Sequence, residues 1–228
     1  MINSGYQKGL LIQLLFIPLL GLAILFFKGG TINDPTTVGY SFYGNFISEL
    51  GAVTAHNGEF NSPSIFFFIG AMLSVAVGCA LFFIEEKELL DSTKNTFVFA
   101  KIGTFFGILA AICFGLVAIP FDAFEGSKMV HTYAAQYAFR CILLALIFNG
   151  IAIVFDPKFP TIFGVLNLLA SFAVAKHSVD MYLNDFYSGY IPLSDVILSQ
   201  KIAVMSLVVC FLARIVGTKF ILEKLGRV

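Results

Sequence analysis

The sequence has few charged residues for its length. Only 12% of its 228 residues are Asp, Glu, Lys or Arg, and the formal net charge at pH 7 is zero. This balance argues against nucleic acid as a partner, because binding to phosphates requires a surplus of basic residues. A water-soluble domain is also excluded, since 58% of the residues are hydrophobic and the mean hydropathy is +0.90. The composition therefore predicts an integral membrane protein whose partners include membrane lipids.

Tryptophan is absent, and the four cysteines form no paired motif. Without Trp, the aromatic residues at the membrane interfaces must be Tyr and Phe. The cysteines all lie within apolar runs, which is typical of small buried side chains rather than of disulfides or thiolate metal sites. They are Cys79, Cys113, Cys141 and Cys210.

Long apolar segments are what the chain has in abundance. Six are long enough to cross about 30 Å of hydrocarbon as helices, at residues 10–27, 64–84, 97–119, 130–155, 161–176 and 196–216. Pro18 lies inside the first segment and is expected to kink it. The predicted fold class is all-α, a single membrane domain over residues 1–228 with six transmembrane helices and a short amphipathic helix in the first outer loop.

The distribution of positive charge predicts the orientation. If the N-terminus is cytoplasmic, most Lys and Arg residues fall at the cytoplasmic face. The lysines left at the outer face are Lys28, Lys128, Lys176 and Lys201. The positive-inside rule therefore favours a multi-pass plasma-membrane protein with both termini in the cytoplasm.

The first outer loop contains the polar stretch GNFISELG, which has the spacing of a short amphipathic helix. Ser41 suits its start and Gly51 its end, and Asn45, Ser48 and Glu49 share one face at i, i+3 and i+4. Two arrangements remain open. The helix lies in the interface with its polar face in water, or that face turns inward over the bundle, where the carboxylate needs a partner.

A strong charge occurs deep in the fourth span. The segment HTYAAQYAFR places Tyr133, Gln136 and Arg140 on one stripe, with Arg140 about 14 Å from the outer end of the span. Insertion of an arginine near mid-bilayer costs about 2.5–3.5 kcal/mol. We therefore expect Arg140 to face the bundle interior, where a plain buried salt bridge and an anion-binding role are both open.

All three histidines fall at the outer face in this orientation. Together with Asp122 or Asp180 and with Ser48 nearby, they have the composition of a three-His zinc site with a carboxylate beside its water. No HExxH or HxxxH spacing is present, so the ligands would come from three separate segments; the alternative is that each histidine is a structural residue. The predicted ligands are His56, His131 and His177.

Two segments, YGNFISELGA and GLVAIPFDAFEGSKMVHTYAAQYAFR, resemble the uncharacterised membrane proteins catalogued as domain of unknown function 998. A looser likeness links the chain to the DRAM-like membrane proteins. The resemblance implies a shared six-helix fold and supplies no reaction. Its matched positions are Asn45, Ser48, Glu49, Gly51, Asp122 and His131.

Three hypotheses follow. The first is a polar outer pocket that binds a lipid or amphiphile headgroup, with Arg140 as its anchor. The second is a zinc-dependent intramembrane hydrolase with Ser48, Glu49 and Asp122 as catalytic candidates, and the third is a small-solute transporter. The residues of the predicted pocket are Asn45, Ser48, Glu49, Asp122, His131 and Arg140.

Overall fold

The apolar segments form the helices of the fold. The computed structural model describes residues 4–186 and 190–224 and, within them, the side chains of residues 6–184 and 190–215. Six helical segments are long and apolar enough to cross a membrane, counting α1 and α2 together, so the predicted all-α bundle with six spans is confirmed. The helices are α1 Ser4–Leu14, α2 Phe16–Phe26, α3 Ser64–Lys87, α4 Lys94–Val117, α5 Ser127–Phe155, α6 Thr161–Phe186 and α7 Leu193–Lys224.

The first span is divided into two helices at Leu15. Pro18 lies three residues further on, and its ring has no N–H to donate to the carbonyl of Leu14. The backbone N–H of Leu15 donates to the Ile12 carbonyl at 3.1 Å, which closes a tighter turn. The distortion expected at Pro18 thus takes the form of a helix break in the middle of the span.

The fifth span is longer than predicted. The prediction ended it at residue 176, whereas α6 continues to Phe186. Lys176 and Asp180 are one turn apart, and the Lys176 Nζ lies 2.5 Å from the Asp180 Oδ2. Because the two charges neutralise each other along the helix, they do not end it.

Consecutive spans pack side by side and form a ring. The first span packs on α3, and α3 to α6 each pack on the next helix in the chain, whereas α1 touches α7 only lightly. Glycines allow the first crossing to be close, since a Cβ at Gly78 would lie 2.7 Å from the Gln13 backbone nitrogen. The ring is therefore tight everywhere except at the seam between the first span and α7.

The two ends of the ring differ in what they carry. We call the end that bears residues 27–63 and 118–126 the loop face, and the opposite end, where α1 begins, the terminal face. Each histidine lies in the loop 27–63 or in the half of a helix nearest the loop face. The one-sided placement of the histidines agrees with the sequence, while the side of the membrane that each face meets stays a prediction.

Candidate functional site

Residues 27–63, which we call the 27–63 loop, fold back over the loop face. In place of the amphipathic helix predicted from Ser41 to Gly51, the loop contains a five-residue 3₁₀ helix, Ile47–Gly51. A Cβ at Gly51 would lie 2.2 Å from the Phe68 ring, so glycine lets this helix pack directly on α3. Leu50 is fully buried and Glu49 is only 4% exposed. The alternative of a helix lying in the interface with its polar face in water is therefore wrong.

Asn45 connects the loop to itself. It is completely buried, and its side-chain oxygen accepts from the backbone N–H of Ser41 at 2.9 Å. Its amide nitrogen donates to the Gly30 carbonyl at 2.9 Å and to Glu49 Oε2 at 2.5 Å. The carboxylate of Glu49 thus receives an amide donor inside the protein instead of water.

Glu49 and Lys201 are two buried charges that lie under the loop without forming a direct ion pair. The Lys201 ammonium of α7 donates to the Asn45 backbone carbonyl at 2.6 Å and lies 5.2 Å from the centroid of the Tyr40 ring. On the opposite side, His56 Nε2 is 3.3 Å from Glu49 Oε2. Burial, and then the nearby charge of Glu49, raise the pKa of Tyr40 above its ordinary value, so its hydroxyl stays protonated.

We call these side chains the loop-face cluster. Of the two arrangements left open for the polar face of this segment, the cluster shows the one in which Glu49 faces the bundle. It also fastens the 27–63 loop to α7, because the Lys201 ammonium belongs to that helix and donates to the loop. Its members are Tyr40, Asn45, Glu49, His56 and Lys201.

Directly beneath the 3₁₀ helix lies a central cavity of about 110 Å³. Among the side chains that the structure describes, its lining contains no charged residue and three polar ones, Gln13, Ser48 and Gln200. The remaining lining is aliphatic, aromatic or sulfur-containing: Leu14, Phe16, Ile17, Ile47, Phe68, Met72, Val75, Cys79, Phe114, Val117, Ala135, Phe139, Ile142, Val204, Leu207, Val208 and Phe211. Along α7 the lining runs from Gln200 to Phe211, which is about 16 Å at 1.5 Å per residue.

The polar groups sit at the two ends of this cavity. At the loop-face end, Ser48 lines it, and Gln200 Oε1 accepts from the backbone N–H of Ile47 at 2.8 Å. At the other end is Gln13, beside the break in the first span. Gln13 is 6% exposed, and neither atom of its side-chain amide has a hydrogen-bond partner among the described residues. Such a buried amide is destabilising unless water or a ligand completes it.

Asp122, predicted to line the pocket, lies at the surface instead. Its Oδ1 accepts from the Val53 backbone N–H at 2.7 Å and its Oδ2 from that of Thr54 at 2.8 Å. These bonds hold the 27–63 loop to the connection between α4 and α5. The geometry gives Asp122 a positioning role for the loop.

The three histidines lie beside three different partners. His131 Nδ1 is 3.3 Å from the Ile119 carbonyl oxygen, and His177 Nδ1 is 3.0 Å from Ser199 Oγ, while His56 belongs to the loop-face cluster. In the described ranges, no three His, Cys, Asp or Glu side chains form a group that could hold a metal ion. The residues predicted for zinc thus do not fit it, because each is held on a separate element by its own contact.

Arg140 lies outside the cavity, in a groove between α5 and α6. Tyr133, Gln136 and Arg140 share this groove, as their spacing predicted, but none of them lines the central cavity. The face of α5 that lines the cavity carries Ala135, Phe139 and Ile142, whose mean direction is about 130° around the helix from Arg140 at 100° per residue. The predicted pocket is therefore divided, with Arg140 separated from Ser48 and from the loop-face cluster.

Three important side chains were not singled out from the sequence. Lys201 was used only as an orientation cue at the outer face, although it lies inside the predicted span 196–216 and is 5% exposed. The charge within a predicted span was the available signal. The sequence signal for Gln13 and Gln200 is weaker, since each is an uncharged amide within or next to an apolar run.

Comparison of the chain with family models, with curated proteins and with solved structures gave no match. The resemblance noted for its two polar segments stays a prediction.

Proposed function

We propose that this integral membrane protein binds an amphiphile inside the helix ring. Part of the apolar chain of the ligand occupies the central cavity, whose volume of about 110 Å³ is smaller than a full acyl chain, and the rest of the chain lies in the seam between the first span and α7. The polar end lies at Ser48 and Gln200, beneath the 27–63 loop. The observation that carries the proposal is the cavity itself, whose wall is apolar and whose two ends are polar. The apolar wall, with the polar side chains of Ser48 and Gln200 at its loop-face end, matches a molecule that is apolar along its length and polar at one end.

The chemistry of the lining favours an uncharged polar end. A ligand that arrives from the bilayer gains little from apolar contact, because lipid tails are as apolar as the cavity wall. Selectivity then comes from shape and from hydrogen bonds. Ser and Gln side chains supply both donors and acceptors but no charge, so an alcohol, ester or amide is preferred over a phosphate.

The seam between the first span and α7 offers a route into the cavity. Leu14 and Ile17 line the cavity on one side of the seam and Val204 and Val208 on the other. Helices α1 and α7 touch only lightly, and Ile17 is 43% exposed. An apolar chain entering here passes between side chains and never crosses water.

The loop-face cluster serves this function by holding the cover in place. Through Lys201 it attaches the 27–63 loop to α7, and the same loop contributes Ser48 to the cavity. Displacement of the loop would expose the polar end of the ligand to the aqueous side. The loop is thus both a wall of the site and its cover.

The test is to fill the cavity. Ala135→Phe places a ring in the cavity from α5, and Ala173→Phe is the matched control, because Ala173 is also partly exposed but does not line the cavity. Binding of monooleoylglycerol, a neutral single-chain amphiphile, is measured by native mass spectrometry of the detergent-purified protein. We expect Ala135→Phe to weaken binding at least tenfold, which corresponds to about 1.4 kcal/mol, and Ala173→Phe to leave it unchanged.

Lipid binding and thermal stability, both measured for Ala135→Phe, separate a binding site from a packing defect. If filling the cavity raises thermal stability and leaves monooleoylglycerol binding intact, the cavity is only a void in the packing. A Gln200→Leu variant that binds monooleoylglycerol as tightly as the unmodified protein would contradict the assignment of the polar end.

A further inference from the structure

A second site lies on the outside of the ring, at the groove around Arg140. We propose that this groove binds the phosphate of an anionic phospholipid from the leaflet at the loop face. The groove is formed by the first half of α5 together with Tyr182 of α6. Besides Arg140 it is lined by Lys128, Thr132, Tyr133, Gln136 and Tyr137.

The position of Arg140 places its charge close to the headgroup level. Fifteen residues separate it from Phe155 at the terminal-face end of α5, or about 22 Å of helix. Hydrocarbon about 30 Å thick therefore extends roughly 8 Å beyond the Arg140 backbone toward the loop face. Helical side chains lean toward the N-terminus of their helix, which for α5 is the loop face. The long arginine side chain thus reaches toward the phosphates of that leaflet.

The charge of Arg140 is not matched by a carboxylate of the described residues. Among those residues, no carboxylate oxygen lies within 4.0 Å of the guanidinium nitrogens of Arg140. Its guanidinium instead lies 5.5 Å from the centroid of the Tyr137 ring. A cation in this position needs a counter-charge, and the groove opens toward lipid, so a lipid phosphate is the partner that fits.

The rest of the groove suits the same ligand. A guanidinium donates two parallel hydrogen bonds to a phosphate, and neighbouring tyrosine and threonine hydroxyls add single donors. Lys128, in the first turn of α5, places a second positive charge at the loop-face end of the groove. Neither cation lines the central cavity, which distinguishes this site from the uncharged cavity.

The groove and the cavity are independent sites. They have no lining residue in common, and Arg140 lies about 130° around α5 from the face that lines the cavity. The cavity accepts a neutral amphiphile and the groove an anionic lipid. Either assignment can fail without affecting the other.

The absence of tryptophan in the chain provides a local probe. Val179→Trp introduces one beside Arg140, because Val179 is 54% exposed and lines a neighbouring recess that shares Arg140 and Tyr182 with the groove. Quenching is measured in vesicles of phosphatidylglycerol and phosphatidylcholine in which one or the other lipid is brominated. We expect phosphatidylglycerol to be preferred at this probe about fivefold, the size typical of a partly exposed ion pair.

Two changes locate the preference. Arg140→Gln in the Val179→Trp background abolishes it, and Arg140→Lys retains it in part, since the charge remains without the bidentate geometry. Phe105→Trp on α4, which is 58% exposed, is the matched control and shows no preference. Equal quenching by the two lipids at Val179→Trp, or a preference that survives Arg140→Gln, overturns the proposal. Should Arg140→Gln not fold, the comparison of Val179→Trp with Phe105→Trp still decides it.

Discussion

The two faces of the bundle stabilise buried charge in different ways. At the terminal face, Glu86 of α3 and Arg214 of α7 form a direct ion pair, and the two residues are 0% and 2% exposed. At the loop face, Glu49 and Lys201 are buried to a similar extent, but Asn45 stands between them and bonds to both. One face thus joins two helices directly, and the other joins a loop to a helix through an uncharged residue.

This difference indicates which end of the ring is able to open. The guanidinium at the terminal face is enclosed by aromatic rings 5.6–5.9 Å away, those of Phe82, Phe159 and Phe163. Separating that pair would expose two charges to an apolar interior. The bonds at the loop face can break while every helix stays in place, because one partner lies on the 27–63 loop. We therefore expect the terminal face to be fixed and the loop face to be the side that moves.

The sharpest test of this comparison removes one charge of the terminal-face pair. We expect Arg214→Met to lower the free energy of unfolding by about 3–5 kcal/mol, because it leaves Glu86 buried without its partner. The double variant Glu86→Leu with Arg214→Met should recover most of the loss. Both are measured by denaturant unfolding in mixed micelles. A double variant as unstable as the single one would mean that the pair is not the source of the effect.

A smaller loss is expected when the intermediary at the loop face is removed. Asn45→Ala deletes the amide donor to Glu49 and should lower the free energy of unfolding by about 1.5–3 kcal/mol, the range for a hydrogen bond to a charged group. Asn57→Ala is the control, since its side chain is partly exposed and donates to the Lys28 carbonyl in the same loop. An equal loss in the two variants would remove the special role of Asn45.

A substitution at Asp122 tests the mobility of the 27–63 loop and is expected to have a smaller effect than the two above. Asp122→Ala removes both acceptors for the backbone of Val53 and Thr54. Hydrogen exchange of these two amides should accelerate about fivefold, as expected for the loss of about 1 kcal/mol, while exchange in α3 and α7 is unchanged. Acceleration that extends into the helices would show that loop and bundle open together.

The smallest effect concerns acid and the tip of the loop. Hydrogen bonds from the Thr36 hydroxyl and backbone N–H and from the Thr37 hydroxyl lower the pKa of Asp34 below its ordinary value of 3.8. Because folding lowers the pKa of Asp34, the ionised carboxylate stabilises this turn at pH values above 3.8. That stability is lost as the pH falls through the lowered pKa. Amide exchange at Thr36 should rise in that window, and Asp34→Asn should remove the pH dependence.

The sequence predicted the spans because their length and hydropathy are local properties. It also predicted that Tyr133, Gln136 and Arg140 share a face, which helical spacing determines. It did not predict which neighbour that face meets, since six helices can be rotated against one another without changing any local pattern. For the same reason it placed Arg140 and Glu49 in one pocket, although only Glu49 faces the bundle.

The 27–63 loop was harder to predict than the helices. Its polar residues read as one amphipathic face, yet Ser48 faces the cavity while Asn45 and Glu49 bond to each other. The helix is only five residues long, and its direction is set by the contact of Gly51 with Phe68. A contact between residues on separate elements cannot be read from periodicity.

The break at Leu15 divides the first span into two short helices. Each is eleven residues long, so each covers about 16 Å and reaches only halfway through the hydrocarbon. The close crossing at Gly78 holds the helix nearer the terminal face against α3, and the hydrogen bond from Ser64 Oγ to the Ala23 carbonyl, at 2.8 Å, holds α2 to the same neighbour. Pro18 thus interrupts the backbone hydrogen bonds of the ring wall at the depth where the buried amide of Gln13 lacks a hydrogen-bond partner among the described residues.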